Sequence, residues 1–304
     1  MTSKINITFL GTADQIPSAN RNHTAILLSY NSENILIDCG EGTQRQFRKA
    51  GLNPCKISRI LITHWHGDHV LGLPGLFQTL AASGYNKTLH LYGPRGIKLR
   101  IEKMLDLFGF KKELLLEVHE IGPGKFLDEE EFYLEAGKAF HGTPTNIYSF
   151  VKKGLLRIDK QKLKKAKLPD GPLLGKIKNK QDITYEGKKF KWKDLTYQDE
   201  SVKISFIVDS LYDKSFIPFV KDSRLLVCES EFSSEIKEKA QEHLHMTAEQ
   251  VGELAKKSKV KQLILTHISQ RYEHDMKKIL DEAKVIFRNV TIAKDLDSIT
   301  IDGD

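Results

Sequence analysis

The stretch Arg59-Ile-Leu-Ile-Thr-His-Trp-His-Gly-Asp-His69 decides how the rest of the chain is read. Its aliphatic opening predicts a buried strand over Arg59–Thr63. The polar residues from His64 onward then occupy the strand's C-terminal end and the loop beyond it. Imidazole and carboxylate groups ligate borderline and hard divalent cations. His64 and His66, two positions apart on an extended loop, can reach one metal ion. Asp68 and His69, where the chain turns into a helix, can reach a second nearby. Gly67 allows the sharp bend between the two pairs. One histidine alone would read as a satisfied polar residue, but three histidines and an aspartate in six residues read as a metal site.

A dinuclear centre needs donors from elsewhere in the chain. Three candidates each end a predicted strand: His141 after Ala139-Phe140, Asp209 after Lys203-Ile-Ser-Phe-Ile-Val208, and His267 after Gln262-Leu-Ile-Leu-Thr266. Ligands gathered at strand ends are how an open α/β site brings side chains together. Singly, each has an ordinary reading: His141 as a turn residue, Asp209 as the cap of a following helix, His267 as a strand end.

Away from these positions, short aliphatic runs alternate with amphipathic ones. Further strands are predicted at Ile5–Leu10, Thr24–Ser29, Asn34–Asp38, Thr88–Tyr92, Phe132–Phe140, Lys203–Asp209, Leu225–Glu229, Gln262–Thr266 and Val290–Ala293. Helices are predicted at Thr43–Lys49, Leu73–Ala82, Ile97–Leu107, Ser233–Gln241, Thr247–Lys257 and His274–Lys284. That mixture is a layered α/β architecture, neither a helical bundle nor a β-sandwich. The 304 residues, 40% of them hydrophobic, suffice for a well-buried core and exclude a disordered chain. Three scattered cysteines, Cys39, Cys55 and Cys228, make no disulfide framework and point to a reducing compartment. The opening MTSKINITFL has no signal-peptide layout, and no apolar run nears the roughly 20 residues of a bilayer span. A soluble cytoplasmic protein that engages no membrane is expected.

The charge is unevenly placed. The whole chain carries +7. Between Val151 and Asp199 lie 15 Lys and Arg against six acidic residues, a net +9, which leaves the other 255 residues at −2. Such a segment reads either as a solvated insertion or as a handle for an anionic partner.

These motifs carry a resemblance. His-x-His-x-Asp-His after an aliphatic strand is similar to the signature of the metallo-β-lactamase superfamily, whose fold is a four-layer αββα sandwich with metal ions at the sheet edges. Five segments resemble, more closely, the short form of tRNase Z (ribonuclease Z). They are Gly11-Thr-Ala13, Pro17-Ser-Ala-Asn-Arg-Asn22, Leu36-Ile-Asp-Cys-Gly-Glu-Gly-Thr-Gln44, Gly67-Asp-His-Val-Leu-Gly-Leu-Pro-Gly-Leu76 and Leu263-Ile-Leu-Thr-His-Ile-Ser-Gln-Arg-Tyr272. The resemblance covers most of the chain, and the Gly-Leu-Pro-Gly-Leu and Thr-His-Ile-Ser-x-Arg-Tyr elements are its most specific parts.

The resemblance implies a single α/β domain over 1–304, a four-layer αββα sandwich with a protruding basic arm inserted at 151–199. It implies an endoribonuclease that removes the 3′ trailer from precursor tRNA, cutting after the discriminator base to leave a tRNA 3′-hydroxyl and a trailer 5′-phosphate. His64, His66 and His141 would hold one Zn2+, and Asp68, His69 and His267 a second, with Asp209 bridging. That makes two ions per subunit, although the donor set also suits Mn2+ or Fe2+. A hydroxide shared between the metals would attack the phosphorus, oriented by Asp68, while the metals stabilise charge on the phosphate oxygens. His245-Met-Thr247 matches the family's His-x-Thr element, so His245 would protonate the leaving 3′-oxygen with Glu229 as its partner.

The arm would clamp the tRNA elbow by shape and charge without reading sequence. Its expected phosphate contacts are Lys152, Lys153, Lys160, Lys162, Lys164, Lys165, Lys167, Lys176 and Lys178. Gly171 and Pro172, within Leu168-Pro-Asp-Gly-Pro-Leu-Leu-Gly-Lys-Ile-Lys-Asn179, are similar to the arm's Gly-Pro element. The family enzyme is a homodimer in which the arm of one subunit serves the other's active site.

Some elements depart from the family pattern. Ile207-Val-Asp-Ser210 stands for Ser-Gly-Asp-Thr, Cys228-Glu-Ser-Glu-Phe232 for His-Glu-Ala-Thr-Phe, and Asn146-Ile-Tyr148 for Gly-Tyr-Arg. His243 is a second histidine close to the His-x-Thr element. His23, His90, His119 and His274 read as surface or structural, with His23 following a loop that lines the substrate groove in the family. Three other functions compete. A small-molecule hydrolase or phosphodiesterase of the superfamily would need no basic arm. A non-catalytic RNA-binding relative would normally lack metal ligands. A redox di-iron relative would usually carry Glu where His66 stands.

Overall fold

The computed structural model describes residues 4–109 and 114–303. The expected domain of 1–304 also spans 1–3, 110–113 and 304, which lie outside the described residues. Among the described residues fourteen strands assemble into two seven-stranded sheets. The first runs in the order Ser298–Asp302, Lys4–Gly11, Ala25–Tyr30, Glu33–Ile37, Arg59–Leu61, Leu89–Gly93, Leu116–Glu120. The second runs Val290–Ile292, Leu263–Thr266, Leu225–Glu229, Val202–Ile207, Asn146–Lys152, Phe132–Lys138, Gly124–Asp128.

Three apolar clusters set the layers. Successive strand side chains point to opposite faces, so each sheet offers two surfaces. Ile7, Phe9, Ile26 and Leu28 of the first sheet meet Leu134, Phe150, Ile204 and Phe206 of the second in one buried cluster. The other face of the first sheet, through Leu10, Leu36, Ile60 and Leu91, packs on Phe47, Leu76, Phe77 and Ile101. Those four belong to the helices Thr43–Lys49, Leu73–Ala82 and Ile97–Leu107. The outer face of the second sheet packs Leu226, Leu263 and Leu265 on Phe216, Val251, Leu254 and Ile279, from Phe216–Val220, Ala248–Lys257 and Met276–Ile286. Each such side chain, once fully buried, contributes about 1.5–3 kcal/mol. Helix, sheet, sheet and helix follow one another as the expected αββα sandwich.

Several strands escape the aliphatic-run criterion. The most consequential is Asn146–Lys152, Asn-Ile-Tyr-Ser-Phe-Val-Lys, buried at all seven positions and flanked by Phe132–Lys138 and Val202–Ile207. Its polar residues conceal it in the sequence, yet each finds a partner. Asn146 donates to the Ile121 carbonyl at 3.2 Å, and Ser149 pairs with Ser205 at 2.8 Å. Lys152 donates from Nζ to Asp199 at 3.1 Å and to the Gly303 carbonyl at 2.6 Å.

This strand corrects the expected start of the arm. Lys152 is completely buried, with its ammonium committed inside the domain, so it cannot meet a phosphate. Lys153 is tied to Asp128 at 2.6 Å and to the Glu129 carbonyl. The basic segment proper begins after Lys153. It opens and closes with a short antiparallel ladder, Leu156–Ile158 against Thr196–Gln198. Between them lie the helices Lys160–Lys165 and Pro172–Lys178 and the hairpin Ile183–Tyr185 with Lys188–Phe190.

Leu163, Leu168, Ile177, Ile183 and Leu195 form a separate small core there, joined among the described residues by no residue from outside the segment. The segment is therefore a packed subdomain, more ordered than a solvated insertion. All twelve lysines from Lys160 to Lys193 are exposed. Gly171 has φ +151°, a conformation that favours glycine, and Pro172 begins the following helix.

Candidate metal centre

The strand Arg59–Leu61 delivers Thr63 and His64 to the same end of the first sheet as Asp38, which follows Glu33–Ile37. Asp38 is buried and accepts three hydrogen bonds. Thr63 donates its amide to Oδ1 and its hydroxyl to Oδ2, both at 2.8 Å, and His69 Nδ1 lies 2.8 Å from Oδ2. Holding Nδ1 in this way turns His69 Nε2 toward Asp68 Oδ2 at 2.9 Å and Asp209 Oδ2 at 3.3 Å. His64 is fixed similarly, its Nδ1 3.0 Å from Thr63 Oγ1 and its Nε2 3.6 Å from Asp209 Oδ2.

The second sheet supplies the rest from the ends of its strands. His141 follows Phe132–Lys138, and its Nδ1 lies 3.1 Å from the Leu244 carbonyl, leaving Nε2 3.2 Å from His66 Nδ1 and 3.6 Å from Asp209 Oδ2. Asp209 follows Val202–Ile207. The residue after it anchors this loop: Ser210 accepts the Phe140 amide at 2.9 Å and donates its own amide to Glu229 at 2.6 Å. His267 follows Leu263–Thr266, with Nε2 3.2 Å from Asp209 Oδ1 and 3.4 Å from Asp68 Oδ2. Asp38 and His267 both hold left-handed backbone, φ 57° and 50°, the kind of local strain that collects at functional sites.

Two donor groups result: His64, His66 and His141, and Asp68, His69, Asp209 and His267, with ligand atoms within 4.8 Å of one another in each group. The seven residues expected from the sequence are thus brought together. The arrangement fits divalent cations. His64 Nε2, His69 Nε2 and Asp209 Oδ1 are buried, and none of their close contacts among the described residues has hydrogen-bond geometry. His66 Nδ1 and His141 Nε2 face each other across 3.2 Å, where two lone pairs need a cation or a proton between them.

The electrostatics agree. Burial would raise the Asp209 carboxyl, but His267, His69 and His64 outweigh it and hold the pKa well below the ordinary range. Burial likewise opposes charge on His69, yet Asp209, Asp38 and Asp68 raise it well above the usual imidazole value. The carboxylates at this centre call for positive charge beside them.

His245 stands next to the donor groups, its ring 4.7 Å from that of His141 and 5.6 Å from that of His267. Its Nδ1 lies 3.0 Å from Glu229 Oε2 and its Nε2 2.8 Å from Glu231 Oε2. Burial works against protonation, but the Glu229 and Glu231 carboxylates outweigh it and push the pKa up to about 12. The chain is held here by the residues around it. Met246 donates its amide to Glu229 at 3.2 Å. Thr247 caps the helix Ala248–Lys257 in a reciprocal box with Gln250, an arrangement worth about 1 kcal/mol.

Asp38 and Glu231 were not among the expected site residues. Asp38 ends a strand as Asp209 does, a partial signal in the sequence. Glu231 lies two residues beyond Glu229 in the acidic element. His23 is buried, its Nε2 3.2 Å from the Gln15 carbonyl, and it packs behind Gly40, where a Cβ would come within 2.4 Å of both the His23 side chain and the Asp68 carbonyl. His243 stacks on Phe232 at 6.1 Å and belongs to neither donor group.

The family described as anti-Pycsar protein Apyc1 matches residues 5–109, the part of the chain that contains His64 to His69. The metallo-β-lactamase-fold protein YhfI from Bacillus subtilis superposes with a TM-score of 0.73 at 20% identity, over 98% of this chain and all of that one. Human tRNase Z, short form, superposes with a TM-score of 0.71 at 27% identity, over 98% of this chain and 99% of that one. The fold is therefore the metallo-β-lactamase fold. A protein of Nanoarchaeum equitans named ribonuclease Z is 37% identical over 96% of this chain and 92% of its own length. Identity of that degree over nearly the whole of both chains makes this chain a member of the ribonuclease Z family.

Proposed function

We propose that the protein is a metal-dependent endoribonuclease that removes the 3′ trailer of precursor tRNA. It would cut after the discriminator base to leave a tRNA 3′-hydroxyl and a trailer 5′-phosphate. The observation that carries this reading is the convergence of seven His and Asp donors beside a histidine held between two glutamates. Family membership and the lysine-covered subdomain support the choice of RNA as substrate.

His64, His66 and His141 would hold one Zn2+, and Asp68, His69 and His267 the second, with Asp209 shared. When bound, the two ions acidify water at neutral pH and neutralise charge on the scissile phosphate. Asp68, with Oδ2 between His69 and His267, is placed to orient the attacking oxygen. Glu229 fixes the His245 ring through Nδ1, leaving Nε2 to deliver a proton to the leaving 3′-oxygen. Glu231 occupies that Nε2 in the free protein and would yield it to the substrate.

The exposed lysines of the segment after Lys153 would neutralise tRNA phosphates and release counterions. We further propose a homodimer in which this arm reaches the partner's active site, and a cytoplasmic location. Among the described residues no helix is long and apolar enough to cross a membrane.

A small-molecule hydrolase or phosphodiesterase of the metallo-β-lactamase superfamily is the second reading, since the same seven donors would serve it without the basic segment. The deciding experiment maps the cut in a 3′-extended tRNA transcript, with and without chelator. Cleavage away from the discriminator, or cleavage indifferent to chelator and to Asp68→Ala, would reject the proposal. Removing the arm should abolish tRNA cleavage while activity on a small phosphodiester survives.

A further inference from the structure

His90 and His119, which the sequence suggests are merely surface or structural, come together with Glu117 in a group that shares no residue with the catalytic centre. His90 lies on the strand Leu89–Gly93, and Glu117 and His119 on its parallel neighbour Leu116–Glu120, the edge of the first sheet. In the ladder His90 is opposite Glu117 and Tyr92 opposite His119. Leu89, Leu91, Leu116 and Val118 pack on the helical side, so strand alternation turns these four to the sheet's other face.

We propose that His90, Glu117 and His119 form a second, mononuclear site for a divalent transition-metal ion, with Zn2+ as the representative ligand. His90 Nδ1 is 3.4 Å from His119 Nε2 and 3.3 Å from Glu117 Oε2, and His119 Nε2 is 3.7 Å from the same oxygen. Tetrahedral zinc with ligand bonds of about 2.0–2.1 Å has donor-to-donor edges of about 3.3–3.4 Å. Two of the three separations therefore already match the edges of a zinc tetrahedron's face, and the third, at 3.7 Å, needs only a small closure.

The rings are held in place beforehand. Tyr92 stacks on His119 at 4.7 Å and 19°, and itself rests against Phe126 at 5.1 Å. Two nitrogens and one oxygen select borderline transition metals over magnesium or calcium. Glu117, His90 and His119 are 56%, 33% and 38% exposed, so the fourth position opens to solvent and takes water or an exchangeable ligand. A bound ion would fasten the edge strand Leu116–Glu120 to its neighbour.

The test is the zinc content of the full chain after equilibrium dialysis against Zn2+, for wild type, His119→Ala and Glu117→Gln. Each variant should hold one ion fewer per chain than wild type while cleaving RNA at the wild-type rate. Zinc should also raise the melting temperature of wild type further than that of either variant. Equal zinc content in wild type and a folded variant would overturn the site. Loss of more than one ion would overturn its independence from the catalytic centre. Glu117→Gln, at an exposed position, keeps the test available if His119→Ala misfolds.

Discussion

Asp38 Oδ2 and His69 Nδ1 lie 2.8 Å apart with both side chains fully buried, and the same carboxylate holds the Thr63 amide and hydroxyl. One aspartate thus fixes the tautomer of His69 and the course of the loop leading to His64. An imidazole ligand whose outer nitrogen loses its acceptor binds metal about 10–100-fold more weakly. Asp38→Ala should therefore weaken zinc binding at the catalytic centre by that factor, measured by competition with a chromogenic chelator. An affinity equal to wild type would show that Asp38 has no orienting role.

His245 offers a contrast between substrates. Proton donation to a leaving group contributes about 10²–10⁴-fold in rate. His245→Ala should slow single-turnover cleavage of a 3′-extended tRNA by that order with zinc content unchanged. Bis(p-nitrophenyl) phosphate expels a stable phenolate that needs no proton, so its hydrolysis should fall much less. Equal losses on both substrates would assign His245 to metal geometry instead of proton delivery. Glu231→Gln keeps an oxygen that can accept from Nε2 and removes the charge, so its loss on tRNA should be smaller than that of His245→Ala.

The seven donors were legible because they cluster in one short motif or terminate aliphatic strands, a pattern that survives without tertiary information. Asp38 also ends a strand, but it acts through His69 and is not itself a donor, so the strand-end pattern alone does not mark it. The strand Asn146–Lys152 was hidden because Asn146, Ser149 and Lys152 look like surface residues until Ile121, Ser205 and Asp199 are placed beside them. His90, Glu117 and His119 carry no common motif, since two parallel strands bring together His90 and His119 from 29 positions apart. The basic segment announced its charge, while its small core of Leu163, Leu168, Ile177, Ile183 and Leu195 was too dispersed to stand out.

Lys152 and Lys164 separate burial from charge. Both are lysines of the basic stretch, but one is sealed beneath Asp199 and the other is exposed. Lys164→Ala should leave the melting temperature in place, weaken precursor-tRNA binding and flatten the salt dependence of binding, by up to about one unit of slope per lost phosphate contact. Removing one partner of a buried ion pair costs about 3–5 kcal/mol, so Lys152→Ala should lower the melting temperature sharply. At a temperature where Lys152→Ala remains folded, its salt slope should match wild type. A flattened slope with unaltered stability would return Lys152 to the RNA surface.

Asp199 makes that base of the arm sensitive to acid. Its carboxylate receives the Leu155 amide, Arg157 Nε at 3.0 Å and Lys152 Nζ at 3.1 Å. Burial alone would raise its pKa, but those donors outweigh burial and hold it below the ordinary value, which is about 3.9 for aspartate. A carboxyl with a depressed folded pKa binds fewer protons folded than unfolded near that range. Its stabilisation is then complete above about pH 3.9 and disappears as pH falls through the folded value. Asp199→Asn should melt below wild type at pH 7, and the gap should narrow as acid protonates the wild-type carboxylate. Differential scanning calorimetry between neutral pH and the lowest pH at which both proteins still fold measures the gap directly. A gap that stays constant over that range would mean that Asp199 acts through its shape and hydrogen bonds, with no contribution from its charge.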